Sequence, residues 1–312
     1  MTIGIVVNES KDNEFLVLKR LIQSIQNSGA HVIITVRHDH PTAFICPEEL
    51  KAFFYQEEEA LESCDVLICL GGDGTLIKYA KKVTAAKIPL LGINLGTLGY
   101  LTEIETNEID TLIRRITTHA YHIENRMMLS VRKSINGVML SDVGGEGSDS
   151  LVLNELAVNR GATAQVIELA VYLNDTLIDV YSCDGILITT PTGSTAYSLS
   201  AGGPVIDPEL SVIAIVPISP HMSFSKPIVT SPDKTIKIKL TNQNKSEAFI
   251  SMDGVYAGTL EHNETLHIGR ASSETKMLRF QSDNFYVTLK NKLNNRGDQL
   301  RREEIKTTGN DT

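Results

Sequence analysis

The segment Gly71 to Thr75 (GGDGT) combines glycines with a carboxylate and a hydroxyl group, and it lies between an apolar run and a helical pattern. Backbone N–H groups at a helix N-terminus favour an anionic phosphate, and glycine lets the phosphate come close to the chain. A carboxylate there repels phosphate unless it has a chemical task, such as accepting a hydroxyl proton or holding a metal ion. Asp73 is therefore the first candidate catalytic residue. The structural alternative is a tight turn in which Asp73 or Thr75 caps the helix.

Three further polar segments could bind a ligand. Gly92 to Tyr100 follows the next predicted strand, so both glycine-rich loops are expected at the carboxyl edge of a parallel sheet, where ligands bind in α/β folds. Asn154 and Glu155 interrupt an apolar strand with an amide and a carboxylate, a pair suited to ribose hydroxyl groups; a polar pair on an edge strand is the alternative. Asp184 to Pro204 is dense in hydroxyl groups, small residues and glycines, which favours a ligand surface over a purely structural turn.

The scaffold that must position these segments is predicted to have two parts. Up to about residue 120, short apolar runs alternate with helical periodicity, which is typical of β-α units around a parallel sheet. After Tyr121 the pattern changes to strands separated by turns, with a hairpin at Asn136 and Gly137. We therefore predict an α/β domain at residues 1–122 and a β-rich, β-sandwich-like domain at 123–275. Residues 276–312 are predicted to pack back on the first domain and to end in a polar, disordered tail.

Five local predictions can be compared directly with a structure. We expect single strands at Leu151–Val158 and Phe285–Leu289, because both segments are rich in apolar, β-branched or aromatic residues. The acidic run Glu57–Glu59 is expected to be a solvated helix face. Pro41–Pro47 is predicted to be a loop, and Gly144–Ser150 a mobile one, because both are rich in turn residues.

Composition limits the class of protein. The chain has 312 residues and a net charge of -9, and its 38 acidic residues outnumber its 29 Lys and Arg, which argues against nucleic acid as a partner. The N-terminus lacks the basic segment of a signal peptide, and no apolar run approaches the roughly 20 residues of a membrane span. The four cysteines form no C-x-x-C pair, which indicates a reducing compartment. We therefore expect a globular, cytoplasmic protein with no membrane partner.

Taken together, the polar segments resemble the NAD kinase family, which phosphorylates the adenosine ribose 2′-hydroxyl group of NAD to give NADP. Their order and spacing carry the resemblance over most of residues 65 to 255. The GGDG sequence alone is shared with diacylglycerol-type lipid kinases and phosphofructokinases, whereas the long Thr-Ser motif with the Asn-Glu pair is specific to NAD kinases. The matching motifs are GGDGT at Gly71–Thr75, N-x-G-x-L-G-Y at Asn94–Tyr100, NE at Asn154–Glu155, DG at Asp184–Gly185, TPTGSTAYSLSAGGP at Thr190–Pro204 and P-H-x-x-x-x-K-P at Pro220–Pro227.

The resemblance implies an NAD site between an α/β domain and a β-sandwich-like domain, with contributions from a neighbouring subunit of a homodimer or homotetramer. Asp73 would be the base for the ribose 2′-hydroxyl group during attack on the γ-phosphorus of ATP. Magnesium would accompany ATP, and no residue is assigned as a metal ligand. The residues implied to bind the dinucleotide are Gly72, Asp73, Gly74, Tyr100, Asn154, Glu155, Ser182, Asp184, Thr195, Ala196, Tyr197, Ser198, Leu199 and Ser200.

Within that set the resemblance implies individual roles. Asn154 and Glu155 would hold ribose hydroxyl groups, and Asp184 would contact the nicotinamide carboxamide. The residues from Thr195 to Ser200 would line the adenine and nicotinamide pockets. Tyr100 stands where relatives often carry Phe.

Two departures from the family pattern, at Ser182 and Val255, leave specific properties open. Ser182 lacks the positive charge that many relatives carry two positions before the Asp, so selectivity between NAD and NADH stays open. Val255 stands where relatives often have Gln, which puts one NAD contact in doubt. The donor preference between ATP, other nucleotides and polyphosphate, feedback by NADP, and oxidation of Cys183 are also open. The competing functions are a catalytically silent NAD-binding regulator and a lipid or sugar kinase that shares the glycine loop.

Overall fold

The computed structural model describes residues 1–8, 10–35, 48–96, 99–143, 150–161, 165–221, 226–241, 247–280 and 285–292. The loop predicted at Pro41–Pro47, residues 144–149 of the second predicted loop, and the predicted disordered tail from Leu293 onward lie outside these residues. Among the described residues, no helix is long and apolar enough to cross a membrane.

The N-terminal part alternates strands and helices around a parallel sheet. Its strands lie side by side in the order β3-β2-β1-β4-β5-β6, and every pair is parallel. The first helix buries Leu18, Leu21, Ile22 and Ile25 against this sheet, the spacing expected of one apolar helix face. The elements are β1 Thr2–Val7, α1 Leu16–Asn27, β2 His31–Thr35, β3 Phe54–Tyr55, α2 Glu57–Ser63, β4 Val66–Gly71, α3 Asp73–Ala86, β5 Leu90–Asn94, β6 Ile104–Glu105 and α4 Ile109–Thr117, with 3-10 turns at Asn13–Phe15, Glu48–Phe53 and Thr106–Glu108.

The C-terminal part is rich in antiparallel strands, as predicted. Asn136 and Gly137 form the predicted hairpin turn, and both have the positive φ angles that favour Asn and Gly there. The elements are β7 His122–Ile135, β8 Val138–Asp142, β9 Leu151–Val152, β10 Glu155–Arg160, β11 Ile167–Leu173, β12 Thr176–Cys183, β13 Gly185–Thr189, a 3-10 turn at Thr192–Thr195, α5 Tyr197–Ser200, β14 Ile213–Ile218, β15 Ile228–Thr230, β16 Ile236–Leu240, β17 Ala248–Met252, β18 Val255–Leu260, β19 Glu264–Arg279 and a helix at residues 285–292.

The long strand β19 joins the two parts into one sheet. Its first residues pair with β16 and most of its length pairs with β7, while Met277 near its end pairs in parallel with Leu90 of β5. A second, six-stranded sheet in the order β15-β14-β13-β10-β17-β18 faces the C-terminal strands of the first sheet across a core of Ile, Leu and Val side chains. The predicted α/β and β-sandwich-like architecture is confirmed, and the N-terminal and C-terminal parts share the larger of the two sheets.

Two predicted strands differ from the structure. The predicted strand Phe285–Leu289 is wrong because this segment is helical and turns Phe285, Thr288, Leu289 and Lys292 inward at helical spacing, so tertiary contacts override its β propensity. The strand predicted over Leu151–Val158 is interrupted between β9 and β10. At this break the N–H groups of Leu153 and Asn154 donate to the carboxylate of Asp253, which lies in the turn between β17 and β18.

The acidic run on α2 is only partly a solvated face. Glu58 and Glu59 are exposed, but Glu57 is 5% exposed and its carboxylate lies 2.6 Å from the Lys82 ammonium group. The prediction is therefore wrong for Glu57, which pairs α2 with α3. A buried carboxylate needs such a partner, whereas its exposed neighbours do not.

Candidate active site

The first half of the site is a carboxylate fixed at the start of α3. Gly72 caps the helix without a side-chain hydrogen bond, so the alternative reading of Asp73 or Thr75 as the cap is wrong. The backbone N–H group of Tyr100 donates to Asp73 Oδ2 over 2.6 Å, and those of Leu101 and Thr102 donate to Oδ1 over 3.1 Å each. The two glycine-rich loops therefore meet at one sheet edge, as predicted.

Glycine is required where these two loops touch. A methyl group on Gly99 would collide with the Asp73 carboxylate, and one on Gly71 would collide with the Thr75 side chain. At Gly74, by contrast, a methyl group would meet nothing within 4 Å, so this exposed residue leaves the helix N-terminus open to a ligand. The loop thus has space for an anion at the positive end of α3.

Lys11 is a cation beside this loop that sequence reasoning missed. Its ammonium nitrogen would lie only 3.2 Å from a methyl group built on Gly72. The residue follows β1, whose carboxyl end lies next to that of β4 in the sheet. The position of Lys11 after β1 could have identified it from the sequence, because ligands bind at the carboxyl ends of parallel strands.

The second half of the site is centred on Asn154 and Glu155, which are each 7% exposed. The Asp253 carboxylate accepts three successive N–H groups at the β9–β10 break, from Leu153 over 2.9 Å, from Asn154 over 2.7 Å and from Glu155 over 3.3 Å. Strand β10 lies between β13 and β17, so the alternative of a polar pair on an edge strand is wrong.

The Thr-Pro-Thr-Gly turn is locked onto this polar pair. The Thr190 hydroxyl group donates to the carbonyl oxygen of Leu153 over 2.5 Å and accepts the N–H group of Gly193 over 3.1 Å. A methyl group on Gly193 would collide with the backbone carbonyl of Asn154, so only glycine permits this approach. The turn therefore holds the following residues beside Asn154 and Glu155.

Electrostatics distinguish Glu155 from an ordinary surface carboxylate. Burial and, to a lesser extent, the neighbouring Asp253 carboxylate raise the pKa of Glu155 to about 7, while the backbone N–H group of Tyr197 acts in the opposite direction. Burial also raises the pKa of Asp253. Glu155 Oε2 has no hydrogen-bond partner in the described residues, which leaves an acceptor for a ligand hydroxyl group.

The predicted pocket residues that follow the turn differ in their exposure to solvent. Tyr197 and Ser200 are exposed, and the half-buried residues are Thr195, Ala196 and Leu199. Ser198 is fully buried, and its Oγ has no partner in the described part of the chain. The exposed and half-buried members of this set therefore form a surface next to Glu155, and Ser198 is not part of it.

Ser182 and Asp184 are not brought together with this constellation. Glu155 pairs with Thr189 at one end of β13, whereas Asp184 precedes the other end, where its carboxylate lies 3.2 Å from Arg160 Nε. Five residues of strand separate Thr189 from Asp184, which corresponds to roughly 16 Å at about 3.3 Å per residue. Within one chain, Asp184 therefore belongs to the opposite end of the sheet.

The cysteine and metal predictions can be examined over the described residues. Cys183 is buried and free, and burial raises the pKa of its thiol to about 12, so it is a poor nucleophile at neutral pH. Cys64 and Cys69 are also free and buried. Across the described ranges, no three His, Cys, Asp or Glu side chains converge as a metal site would require.

Comparisons with known families cover most of the chain. A family model described as ATP-NAD kinase N-terminal domain matches residues 3–121, and one described as ATP-NAD kinase C-terminal domain matches residues 153–280. The NAD kinase of Acetivibrio thermocellus is 32% identical over 306 residues, which are 96% of this chain and all of that protein. The NAD kinase of Clostridium perfringens strain 13 is 36% identical over 296 residues, 93% of this chain and 98% of that protein.

Two solved structures share the fold. The yeast NADH kinase complexed with NADH has a TM-score of 0.77 and 20% identity, and covers 92% of this chain and 85% of its own. The NAD kinase of Archaeoglobus fulgidus in complex with ATP has a TM-score of 0.68 and 23% identity, and covers 94% of this chain and 99% of its own. None of these matches supports a silent regulator or a lipid or sugar kinase.

Proposed function

The chain belongs to the NAD kinase family and phosphorylates NAD to NADP with ATP and NAD as substrates, and we propose that Asp73 is the base of this reaction. The observation that carries the proposal is the fixed Asp73 carboxylate, held by three backbone N–H groups at the N-terminus of α3. Phosphoryl transfer needs a positioned acceptor, a poised base and charge stabilisation. The fixed Asp73 carboxylate supplies the base, and the open N-terminus of α3 supplies charge stabilisation.

The phosphoryl group is then transferred in a single displacement step. The 2′-oxygen of the adenosine ribose attacks the γ-phosphorus of ATP and loses its proton to the Asp73 carboxylate. The bond between the γ-phosphorus and the bridging β-γ oxygen breaks, and ADP leaves with that electron pair. The open N-terminus of α3 at Gly72 and Gly74, together with the Lys11 ammonium group, stabilises the negative charge of the phosphates.

NAD binding falls to the other half of the site. Asn154 and Glu155 hold ribose hydroxyl groups, because both are buried polar residues and Glu155 keeps an acceptor oxygen without a partner in the described chain. The surface from Thr195 to Ser200 lines the adenine and nicotinamide pockets, and Tyr100 borders the site beside Asp73. Ser198 is fully buried, and its Oγ has no hydrogen-bond partner among the residues that the structure describes.

Magnesium is proposed to arrive with ATP. Mg²⁺ is usually held by one or two carboxylates together with substrate phosphates, so a site with the single carboxylate of Asp73 next to the glycine loop fits a metal carried by the nucleotide. When bound, such an ion would neutralise part of the phosphate charge, and Asp73 is the carboxylate of the loop that could help to hold it. Chelation with EDTA is expected to abolish turnover and to leave NAD affinity, measured by calorimetry, unchanged.

A homo-oligomer is proposed in which Asp184 and Ser182 act on NAD bound to a neighbouring subunit. The support is the position of Asp184 at the far end of β13 from Glu155 and Thr189. Subunit mixing tests this directly: Asp73→Asn and Asp184→Ala are each expected to be inactive alone. Hybrids purified through two different tags are expected to recover activity, because one shared site then contains both native residues. Hybrids as inactive as their parents would show that the two residues act within one subunit.

The reaction itself is tested by NADP formation from purified protein, magnesium, ATP and NAD, read through an NADP-specific dehydrogenase. Exchange of ATP for polyphosphate and of NAD for NADH in the same assay defines the donor and acceptor preferences. Formation of NADP is expected with ATP and NAD; its absence with every donor would contradict the function. The cytoplasmic location stays a prediction from the sequence.

A further inference from the structure

A buried network of charged side chains lies behind the active site. Glu124 binds two arginines at once: its Oε2 lies 2.6 Å from Arg279 Nε and its Oε1 lies 2.5 Å from an Arg126 terminal nitrogen. The side chains of both arginines are less than a tenth exposed. Burial lowers the pKa of Arg126 to about 10, so its guanidinium group keeps its charge at neutral pH. Removing such charges from water is energetically unfavourable, which indicates that the network serves a purpose other than stability.

One end of this network reaches the turn that holds Asp73. Arg279 donates to the backbone carbonyl of Leu101 over 2.7 Å, and the N–H group of that same residue donates to Asp73 Oδ1 over 3.1 Å. Arg279 and Asp73 therefore act on the two sides of one short turn. Glu103, just after the turn, is a further carboxylate 3.7 Å from Arg279.

The other end reaches the NAD-binding turn. Arg126 donates from its remaining terminal nitrogen to the Thr192 hydroxyl group over 3.3 Å. Thr192 lies in the Thr-Pro-Thr-Gly turn, whose next residue, Gly193, touches Asn154. Arg126, Glu124 and Arg279 also line one cavity of about 260 Å³ together with Tyr100. The three side chains thus connect the phosphate half of the site to the dinucleotide half.

We propose that Arg279 and Arg126, bridged by Glu124, are positioning residues that set the Asp73 carboxylate relative to bound NAD. This inference rests on the proposed role of Asp73 as the base. A guanidinium group suits the task because it is permanently charged and its rigid fork can serve a carboxylate and a carbonyl at the same time. Neither arginine contacts Asp73 or Asn154 directly: Arg279 acts through the turn that holds Asp73, and Arg126 acts through the turn that contacts Asn154.

The chain offers a matched control for Arg279. Arg115 also connects the end of β19 to the N-terminal part. It donates to the carbonyl oxygen of Phe280 over 2.9 Å, and its guanidinium carbon lies 4.5 Å from the centre of the Phe280 ring. Within the described residues its hydrogen bonds go to the carbonyl oxygens of Phe280 and Ala120, not to the turn at residues 100–102. Arg115→Gln therefore reports the loss of anchoring alone, whereas Arg279→Gln also frees the turn.

The test compares kcat and KM for these variants of the full-length enzyme. Arg279→Gln is expected to lower kcat about 10- to 100-fold with KM for NAD nearly unchanged, because small misplacement of a reacting group carries a penalty of that order. Arg115→Gln is expected to keep kcat near wild type. Arg126→Gln is expected to raise KM for NAD, because it releases Thr192. If Arg279→Gln does not fold, Arg279→Lys, which keeps the charge but not the fork, is expected to lower kcat by a smaller factor.

Hydrogen exchange of the peptide spanning residues 99–103 gives a second readout. Faster exchange is expected in Arg279→Gln and not in Arg115→Gln, because only the first variant releases the carbonyl of Leu101. Equal kcat and equal exchange in the two variants would overturn the inference. That failure is distinguishable from failure of the proposed base: inactive Asp73→Asn beside equal arginine variants refutes only the network, whereas fully active Asp73→Asn refutes the base itself.

Discussion

Two carboxylates in this protein hold the chain in the same way but sit in opposite electrostatic settings. Asp73 accepts the N–H groups of residues 100–102, and Asp253 accepts those of residues 153–155. Asp73 lies at the positive N-terminus of α3 with the Lys11 ammonium group beside the same loop. Asp253 lies beside a second carboxylate, Glu155, and its pKa is raised by burial.

The comparison shows that the surroundings, not the local hydrogen bonds, separate the two roles. Three N–H donors fix a carboxylate in place at either position. Beside a helix N-terminus and a cation, the fixed group faces the proposed phosphate site. Beside another carboxylate, it holds the polar pair proposed to bind substrate hydroxyl groups, and that pair is expected to be sensitive to pH. Variants that disturb one carboxylate at a time should therefore affect different kinetic parameters.

Among variants that leave both carboxylates in place, the largest effect is expected from Gly99→Ala, which disturbs the hydrogen bonds that hold Asp73. The added methyl group collides with that carboxylate, so kcat is expected to fall on the order of 10²-fold through misplacement. Gly96→Ala is the control, because a methyl group there meets nothing within 4 Å. Steady-state kinetics of the pair checks this; equal kcat values would show that the position of Asp73 is unimportant.

Asp253→Asn disturbs the hydrogen bonds that hold residues 153–155. Asn tolerates the positive φ of 49° at this position, so the hairpin turn keeps its conformation while one acceptor oxygen is lost. We expect NAD affinity to fall about tenfold and the free energy of unfolding to fall by about 1–3 kcal/mol, as for a buried N–H group left without its acceptor. Calorimetry and denaturant unfolding measure both. A loss confined to kcat would contradict the assignment of Asp253 to the NAD half.

Glu155 supplies a pH dependence. Because its pKa is raised from 4.5 to about 7, Glu155 is mostly protonated at pH 6 and ionised at pH 8, and NAD affinity is expected to rise several-fold across that interval. A raised pKa in the folded state also means that its contribution to stability is lost as pH rises from about 4.5 to about 7. Glu155→Gln should flatten both pH profiles. Profiles of unchanged slope in the variant would assign the titration to another group.

The smallest effect is expected at Lys11. Lys11→Met is expected to raise KM for ATP about two- to fivefold, because an exposed ammonium group contributes little in water. KM for NAD should stay constant. Lys234→Met, an exposed lysine of the strand-rich part, is the control. A larger change in KM for NAD than in KM for ATP would show that Lys11 acts in the NAD half of the site and not in the phosphate half.

Local patterns made much of this arrangement predictable. The alternation of strands and helices placed Asp73 and Tyr100 at one sheet edge, and the Thr190–Pro204 stretch was recognisable by its composition. The contacts that complete the site join residues far apart in the chain, such as Asp253 with Asn154 and Arg279 with Leu101. No periodicity encodes them. The C-terminal helix was misread for a related reason, since its contacts also join residues far apart in the chain, Lys292 with Tyr100 and Tyr286 with Asp207.

The most direct test of the account measures Asp73→Asn in one preparation, with NAD affinity from calorimetry and NADP formation in a single turnover with saturating NAD and ATP. We expect NAD affinity close to that of the wild type and a turnover rate lower by about 10²-fold or more, as for loss of a positioned base. Turnover at the wild-type rate would show that the carboxylate at the start of α3 does not take the ribose proton.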